Sequence, residues 1–218
     1  MRLCRIPHER LDPTGQTDIE FVIMNDQTLS LLQAIAARRS YPIQNVAPDP
    51  INLDDVKLML EAANWSPTHG MTEPWRFSIF AGESRRALGE QFAVAYRLLT
   101  PTEKYDPKGE QVQRERPFAA PVWISLGLYR SAAPRMPEWE DLSSVAIAAQ
   151  HIHLVAHSLG YACKWTSGDI VRHDSVLNLV GLQAPSKLLG FLYVGRPVEG
   201  TSIPAKRTPI EDKVVWMT

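Results

Sequence analysis

The sequence contains only two cysteines, Cys4 and Cys163, among 218 residues. Two thiols so far apart supply neither the disulfide framework of a small secreted domain nor the ligand set of a structural zinc site. No stretch approaches the roughly 20 apolar residues that span a bilayer, and the first residues lack the apolar centre of a signal peptide. We therefore expect a cytoplasmic protein that does not interact with membranes, with Cys163 as a small buried residue.

An excess of charge of either sign is also missing, since 23 basic residues stand against 24 acidic ones. No cluster of Lys and Arg is dense enough to attract nucleic acid, which is therefore not an expected partner. The sequence has no G-x-S-x-G elbow, P-loop, H-E-x-x-H motif or Rossmann glycine fingerprint. Hydrolase, NTPase, zinc protease and standard dinucleotide-domain hypotheses thus lack the motifs that carry them.

The remaining composition is typical of a globular protein, with 44% hydrophobic and 22% charged residues. A chain of this length accommodates one domain with additions, and no repeat or glycine-rich linker divides it. Residues 1–27 hold scattered prolines and charges without clear periodicity and are interpreted as an N-terminal arm. Residues 28–218 are then expected to form one domain.

Hydrophobic periodicity predicts helices and strands that intermingle along the chain. Expected helices run from Thr28 as N-cap to the R-R-S run, from Asn52 or Asp54 to Ser66-Pro67, and over 83–96, 142–159 and 172–181. Expected strands cover 75–81, 121–129, 161–165, 188–195 and 214–216. The stretch 100–118 is expected to be an exposed excursion of a kind that often covers a binding site. The fold class is therefore α/β or α+β, and the mostly apolar helix 142–159 suggests enclosure by other elements or by a partner subunit.

Arg38, Arg39 and Ser40 follow the first expected helix, where Tyr41-Pro42 prevents its continuation. Two guanidinium groups and a hydroxyl suit a phosphate through charge-assisted hydrogen bonds. The same residues would also serve as a solvated helix end that complements the helix dipole, so they need context. A polar loop from Ser66 to Glu73, which ends in Pro-Trp at the start of a strand, supplies side chains that could hold a planar heterocycle.

Together with three further segments, these motifs resemble the nitroreductase family. The family places an R-R-S element near the N-terminus and, further along, an S/A-P-x-x-x-x-x-Q-P-W-x-F loop, and residues 38–40 and 66–77 follow that order. Residues 164–168 (K-W-T-S-G) resemble the W-R-S-G segment of a small bacterial branch, 189–197 resemble the family's closing strand, and Lys206-Arg207 its C-terminal basic residue. The resemblance covers approximately residues 28–216.

The resemblance implies an α+β sandwich with a central, mainly antiparallel sheet flanked by helices, in a domain-swapped homodimer that binds FMN at its interface. By resemblance, the phosphate would be held by Arg38, Arg39, Ser40 and Arg207, and the ring by Trp65, His69, Trp165, Thr166 and Ser167. NAD(P)H would reduce the flavin and leave, and a small-molecule acceptor such as a nitroaromatic or quinone would then be reduced on the same face in a ping-pong cycle. Because the flavin carries the chemistry, no protein nucleophile, essential general base or metal is expected.

Two residues depart from the family pattern, and their flavin contacts stay open. Glu73 stands where Gln is usual, and Thr166 stands where this branch often has Arg. A carboxylate accepts hydrogen bonds but cannot donate one to a flavin carbonyl, so we hypothesise that Glu73 lowers the flavin potential. The motifs do not separate a reductase from a family member with dehydrogenase or flavin-processing chemistry, or from a flavin-binding protein without turnover.

Three histidines, 151, 153 and 157, lie in the long apolar helix, and His153 and His157 share one helical face. No nearby carboxylate or thiolate completes a ligand set, so hydrogen-bonded structural histidines are favoured over a metal site. Among the tryptophans, Trp123 is expected to be a core packing residue.

Overall fold

The computed structural model describes the backbone of residues 3–11 and 17–217 and the side chains of residues 25–217. The chain divides into two compact units, Met1–Arg38 and Arg39–Thr218. None of the helices in the described part of the chain combines the length and hydropathy that a membrane crossing requires.

The first unit contains a β-hairpin and a helix. Strands β1 (Leu3–Leu11) and β2 (Thr17–Asn25) pair antiparallel, and helix α1 (Asp26–Ala37) follows directly. The Asn25 side chain accepts the Thr28 N–H at 2.8 Å, so Asn25 is the N-cap and the assignment of Thr28 as cap is wrong. The hairpin is not among the elements that the sequence predicts, and the boundary between arm and domain after residue 27 stays a prediction.

The second unit is an antiparallel sheet flanked by helices, which agrees with the expected α+β class. Its helices are α2 (Leu53–Asn64), α3 (Ser84–Leu99), α4 (Pro107–Glu115), α5 (Glu138–Ser158), α6 (Asp169–Arg172) and α7 (Asp174–Leu179). Its strands are β3 (Trp75–Arg76), β4 (Ile79–Ala81), β5 (Val122–Leu128), β6 (Ala162–Thr166) and β7 (Lys187–Gly195). The strand order is β3-β5-β7-β6, and β4 pairs with β5. The expected helix that begins after Asn52 is confirmed, since the Asn52 side chain accepts the Asp54 N–H.

The core lies on both faces of this sheet. Strand β5 is buried along its whole length, and its alternating side chains point to opposite faces. Ile124 and Leu126 pack with α2 and α5, whereas Trp123 packs with α3 and α7. The Trp123 indole N–H donates to the carbonyl oxygen of Pro117 at 2.9 Å, which confirms Trp123 as a packing residue. Cys163 is buried, as predicted.

Two expected elements are interrupted by side-chain hydrogen bonds. The strand predicted over 75–81 breaks at Phe77 and Ser78, where the Ser125 hydroxyl accepts the Ser78 N–H at 2.7 Å in place of a regular ladder bond. The helix predicted over 172–181 is divided at His173, whose ring accepts the Ser175 N–H and caps α7. Local side-chain acceptors compete with the backbone in this way.

One further prediction is wrong, and another is confirmed in part. Residues 214–216 form no strand, and Trp216 is 83% exposed, with no neighbouring strand among the described residues to cover it. The stretch 100–118 is largely exposed, as expected, but it also contains α4 and the buried carboxylate of Glu110.

Glu110 is the centre of an ion-pair cluster between α3 and α4. Its carboxylate accepts from Nε and Nη2 of Arg97 at 2.9 and 2.6 Å, from the Tyr105 hydroxyl at 2.7 Å and from Arg114 at 2.8 Å. The Arg97 guanidinium, followed by Tyr105 and Arg114, holds the pKa of Glu110 well below its ordinary value of 4.5. The cluster therefore ties α4 to α3 through a charge that is present in the folded state.

We expect Glu110→Gln to lower Tm at neutral pH. We also expect the Tm of the variant to fall less steeply than that of wild type as the pH is lowered. A carboxyl whose folded-state pKa is depressed contributes stability that is fully present above its unfolded pKa and is lost as the pH falls toward the folded pKa. Thermal unfolding at a series of pH values should therefore show the Tm of wild type and variant converging below pH 4.5. Parallel curves of Tm against pH for wild type and variant would contradict a depressed pKa of Glu110 in the folded protein.

Candidate functional site

A cleft of approximately 410 Å³ lies between the end of α2 and the loop that enters β3. Its volume falls within the range of small-molecule sites, about 300–1,000 Å³. The lining residues are Asn64, Trp65, Ser66, Pro67, Thr68, Met71, Glu73 and Trp75. Trp75 is buried and its indole N–H donates to Asn64, whereas Trp65 is 79% exposed and its indole N–H donates to Glu61. The cleft thus has one fixed aromatic wall and one open one.

The loop that forms the cleft has an unusual backbone. Gly70, Met71 and Glu73 have φ values of 60°, 52° and 40°, in the left-handed region that only glycine adopts without cost. Two of these three residues carry side chains, and both line the cleft. Strain of this kind concentrates at functional sites, where surrounding contacts hold it.

His69 belongs to the same loop but is not one of the residues that line the cleft. Its Nδ1 lies 2.5 Å from Oε2 of Glu140 near the start of α5. A ring contact with a ligand would therefore have to come from Nε2 or replace this pair. The histidine that the sequence singles out holds the loop against α5 in this structure.

The end of the R-R-S element is fixed beside β6. The Tyr41 N–H donates to the carbonyl oxygen of Cys163 at 3.2 Å, and the Tyr41 carbonyl accepts the Tyr193 hydroxyl at 2.9 Å. Arg39 Nε donates to the carbonyl oxygen of Ile203 at 3.0 Å. The structure thus gathers Arg39, the exposed Ser40, the start of β6 and the segment that leads to Arg207 in one region. Arg38 is the last residue of the first unit.

The W-T-S-G segment ends β6, and its side chains alternate between the two sheet faces. Trp165 packs against the α2–α5 core cluster, and its indole N–H donates to the carbonyl oxygen of Leu189 at 3.1 Å. Gly190 is required beside it, because a Cβ there would lie 2.1 Å from the Thr166 carbonyl oxygen, and its φ is 129°. Ser167 is exposed. The close approach of β7 fixes the backbone of Trp165 and Thr166.

Arg116 is a residue near the site that the sequence motifs do not reveal. Its Nη2 donates to the Thr166 hydroxyl at 2.9 Å, and its guanidinium lies over the rings of Phe92 and Trp123. Desolvation lowers the pKa of Arg116 from its ordinary value, and no carboxylate of the described residues forms an ion pair with it. Thr166 stands where the small bacterial branch often has an arginine, and its hydroxyl contacts Arg116 instead. Because Arg116 is 50 positions away in the sequence, no local motif identifies this contact.

The predicted site residues fall into two groups at opposite edges of the sheet. The cleft loop enters β3 at one edge, and Trp165–Ser167 lie at the end of β6 at the other. Three interstrand steps separate these edges, which is roughly 14 Å at a strand spacing of about 4.8 Å. One chain therefore brings Arg39, Ser40 and β6 together, but it does not bring Trp65 and His69 to them.

Two of the histidines of α5 contact or pack against the rest of the fold. His151 Nδ1 lies 3.1 Å from both the Ser66 hydroxyl and the Ala62 carbonyl oxygen, and so connects α5 to the end of α2. His153 is buried. Within the described residues, no group of three or more His, Cys, Asp and Glu side chains could hold a metal ion.

Comparison with known proteins agrees with this architecture. A protein of Escherichia coli K12, provisionally named NAD(P)H nitroreductase YdjA, is 27% identical over 170 residues, covering 78% of this chain and 89% of its own length. The solved structure of a nitroreductase-like family protein from Bacillus cereus superposes with a TM-score of 0.73 at 24% identity, covering 86% of this chain and 95% of that one. The FMN and NADPH-dependent nitroreductase NfnB from Sphigopyxis sp. strain HMH gives a TM-score of 0.66 at 20% identity, covering 86% and 98%.

The sequence model described as the Nitroreductase family matches residues 35–196, which is most of the chain. This range includes Arg38–Ser40, the cleft loop, the W-T-S-G segment and the whole five-stranded antiparallel sheet with helices α2 to α7. The resemblance inferred from the motifs is therefore confirmed, and the chain belongs to the nitroreductase family.

Proposed function

We propose that the chain is an FMN-dependent oxidoreductase that takes electrons from NAD(P)H and passes them to a nitroaromatic, quinone or similar conjugated acceptor. Family membership and the names of the E. coli and Sphigopyxis relatives support this activity. The observation that carries it is the convergence of Arg39, Ser40, β6 and the segment before Arg207, secured by the hydrogen bonds of Arg39 and Tyr41. Cytoplasmic location stays a prediction.

The donor set of this region fits the polar end of FMN. The guanidinium groups of Arg39 and Arg207 and the Ser40 hydroxyl suit a phosphate, which binds arginine through charge-assisted hydrogen bonds. The cleft beside Trp75 offers apolar surface together with hydroxyl and carboxylate groups, as a planar heterocycle requires. FMN, when bound, supplies a ring that accepts and releases a hydride. The residues of the chain would bind and orient that ring without supplying a nucleophile or a general base.

A second copy of the chain would complete the site. The cleft loop and the W-T-S-G segment lie at opposite sheet edges, so the loop of one chain would have to meet β6 of its partner. Exposed apolar side chains, including Trp65, Trp139 and Trp216 at 79%, 68% and 83%, offer surface for such an interface. We therefore propose a homodimer with two FMN sites, each shared between the chains.

Subunit complementation tests the shared site. Chains carrying Arg39→Ala and Trp65→Ala are coexpressed with different tags, and the heterodimer is purified through both tags. If each site joins the Arg39 region of one chain to the Trp65 loop of the other, the heterodimer has one intact and one doubly altered site. It should bind half the FMN of wild type, whereas each homodimer binds FMN weakly. A heterodimer as weak as the homodimers would show that the site lies within one chain.

Steady-state kinetics tests the reaction. With NADH or NADPH varied at several concentrations of a nitroaromatic or quinone, a ping-pong enzyme gives parallel double-reciprocal lines. Turnover with many acceptors would support the reductase. Bound flavin that NAD(P)H reduces but no acceptor reoxidises would favour dehydrogenase or flavin-processing chemistry, and bound flavin that NAD(P)H cannot reduce would favour a flavin-binding protein without turnover.

Glu73→Gln is expected to raise the reduction potential of the bound flavin. Glu73 lines the cleft, and its backbone carbonyl, not its carboxylate, accepts from Arg76. A fixed negative charge beside the ring opposes the uptake of electrons. A difference of about 1.4 kcal/mol corresponds to roughly 30 mV for a two-electron couple, and we expect a rise of this order. A redox titration measures it, and equal potentials in wild type and variant would refute the hypothesis.

A further inference from the structure

The middle of the cleft loop, His69 to Thr72, is held by side chains from residues 130–141, which no sequence motif identifies. Arg135 Nη2 donates to the Gly70 carbonyl oxygen at 3.0 Å, Glu140 pairs with His69, and Asp141 Oδ1 accepts the Thr72 hydroxyl at 2.8 Å. These contacts reach three successive parts of the loop that contains the left-handed residues. Segment 130–141 therefore acts as one support for the loop.

Asp141 is the buried member of this support. Its side chain and that of Arg130 are each 7% exposed, and Arg130 Nη1 lies 2.6 Å from Asp141 Oδ2. Arg130 also donates to the Met136 carbonyl oxygen, and its backbone N–H donates to the hydroxyl of Ser186, the residue before β7. The ion pair is thus anchored in the sheet, whereas Gly70, Met71 and Glu73 are exposed.

The charge of Asp141 sets the direction of a hydrogen-bond chain through the loop. An ionised carboxylate only accepts, so the Thr72 hydroxyl uses its single proton on Asp141. The hydroxyl of Thr68, 2.9 Å from that of Thr72, must then donate to Thr72, which leaves the Thr68 oxygen to accept the Glu73 N–H at 3.2 Å. This series of hydrogen bonds runs from the N–H of Glu73, whose φ is positive, through the hydroxyls of Thr68 and Thr72 to the buried carboxylate of Asp141. An asparagine at 141 with its oxygen facing Arg130 would turn its amide donors toward Thr72, so the two threonine hydroxyls would have to reverse direction, and the charge that pairs with Arg130 would be lost.

We propose that Asp141 is a positioning residue for the cofactor: paired with Arg130 and bonded to Thr72, it holds the strained loop in the conformation that forms the FMN cleft. This role rests on the proposed function, since the cleft is where the flavin ring would bind. Thr68, Met71 and Glu73 line the cleft, so a change in the loop alters its shape directly. Asp141 itself is not among the lining residues and acts through Thr72.

The test uses Thr72→Val, which removes the hydroxyl at nearly constant size, Thr72→Ser, which keeps it, and Asp141→Asn. FMN affinity is measured by flavin fluorescence quenching on the apoprotein. Loss of a hydrogen bond to a charged group should raise the Kd of Thr72→Val and Asp141→Asn by about tenfold or more, with Thr72→Ser close to wild type. Glu110→Gln, which breaks the ion-pair cluster between α3 and α4 and changes no residue of the cleft lining, should lower Tm and leave the Kd unchanged.

Hydrogen exchange of the apoprotein provides a readout that needs no flavin. The Glu73 amide should lose protection in Thr72→Val and keep it in Thr72→Ser. Equal FMN affinity and equal protection in wild type and Thr72→Val would overturn the positioning role, even if Asp141→Asn fails to fold. A wild-type protein that shows the protection pattern but binds no FMN would instead contradict the proposed function and leave Asp141 as a support of the loop alone.

Discussion

Gly190→Ala is expected to abolish stable folding or to lower Tm by roughly 10 °C or more, as a change of about 4 kcal/mol does in a chain of this size. The added Cβ would meet the Thr166 carbonyl oxygen at 2.1 Å and the Trp165 indole nitrogen at 2.9 Å. Neither is the free end of a flexible side chain, because the backbone of β6 is paired to β7 and the indole N–H is bonded to Leu189. Any protein that folds should bind FMN poorly, since the W-T-S-G segment would be displaced. Thermal unfolding and FMN titration measure both effects.

The matched control is Gly160→Ala. Gly160 also has a positive φ, 78°, but apart from its chain neighbours no described residue lies within 4 Å of the position that a Cβ would take there, so the change adds backbone strain without a clash. Left-handed strain alone costs about 1–2 kcal/mol, which corresponds to only a few degrees. If Gly190→Ala were no worse than Gly160→Ala, the close approach of β7 to β6 would not be what fixes the W-T-S-G backbone.

Arg39→Ala is expected to raise the Kd for FMN by about 30-fold or more, the effect of truncating one partner of a close charge pair at 2 kcal/mol or above. Arg39 is the arginine of the R-R-S element that the structure ties to the C-terminal segment, through its bond to Ile203. Arg39→Lys keeps the charge but loses the planar fork and should lie between wild type and Arg39→Ala. Fluorescence titration of the apoproteins measures all three.

Arg86→Ala serves as the control for this charge effect. Arg86 is an exposed arginine of α3 whose partner, Glu83, lies one helical turn away, so its removal changes the net charge equally without touching the proposed site. Its Kd for FMN should equal that of wild type. An Arg39→Ala protein that also binds FMN like wild type would remove Arg39 from the phosphate site.

Much of the fold could be predicted because its signals are local. The buried strand β5, the capped helix α2 and the long apolar helix α5 each carry their own periodicity or cap. The errors arise where a side chain overrides the pattern, as Ser125 does at Ser78 and His173 does between α6 and α7. Residues 214–216 have strand-forming side chains but no neighbouring strand within the described chain, and a strand needs a partner for its backbone.

The site could be predicted only where its residues are contiguous. The R-R-S element, the cleft loop and the W-T-S-G segment are short motifs, and each is found from its own residues. Arg116 and Asp141 act on Thr166 and Thr72 across 50 and 69 positions. Contacts at that distance depend on how the sheet and α5 pack, which local patterns do not encode. The contact of His69 with Glu140 likewise joins residues that are far apart in the sequence.

The visible absorption spectrum of the purified protein, followed during anaerobic addition of NADPH or NADH, tests the central claim most directly. We predict a flavin spectrum, or one that develops when FMN is added, and loss of its visible absorbance as the reductant is added. A colourless protein that takes up no added FMN would contradict the assignment of Arg39, Ser40 and the cleft as a flavin site.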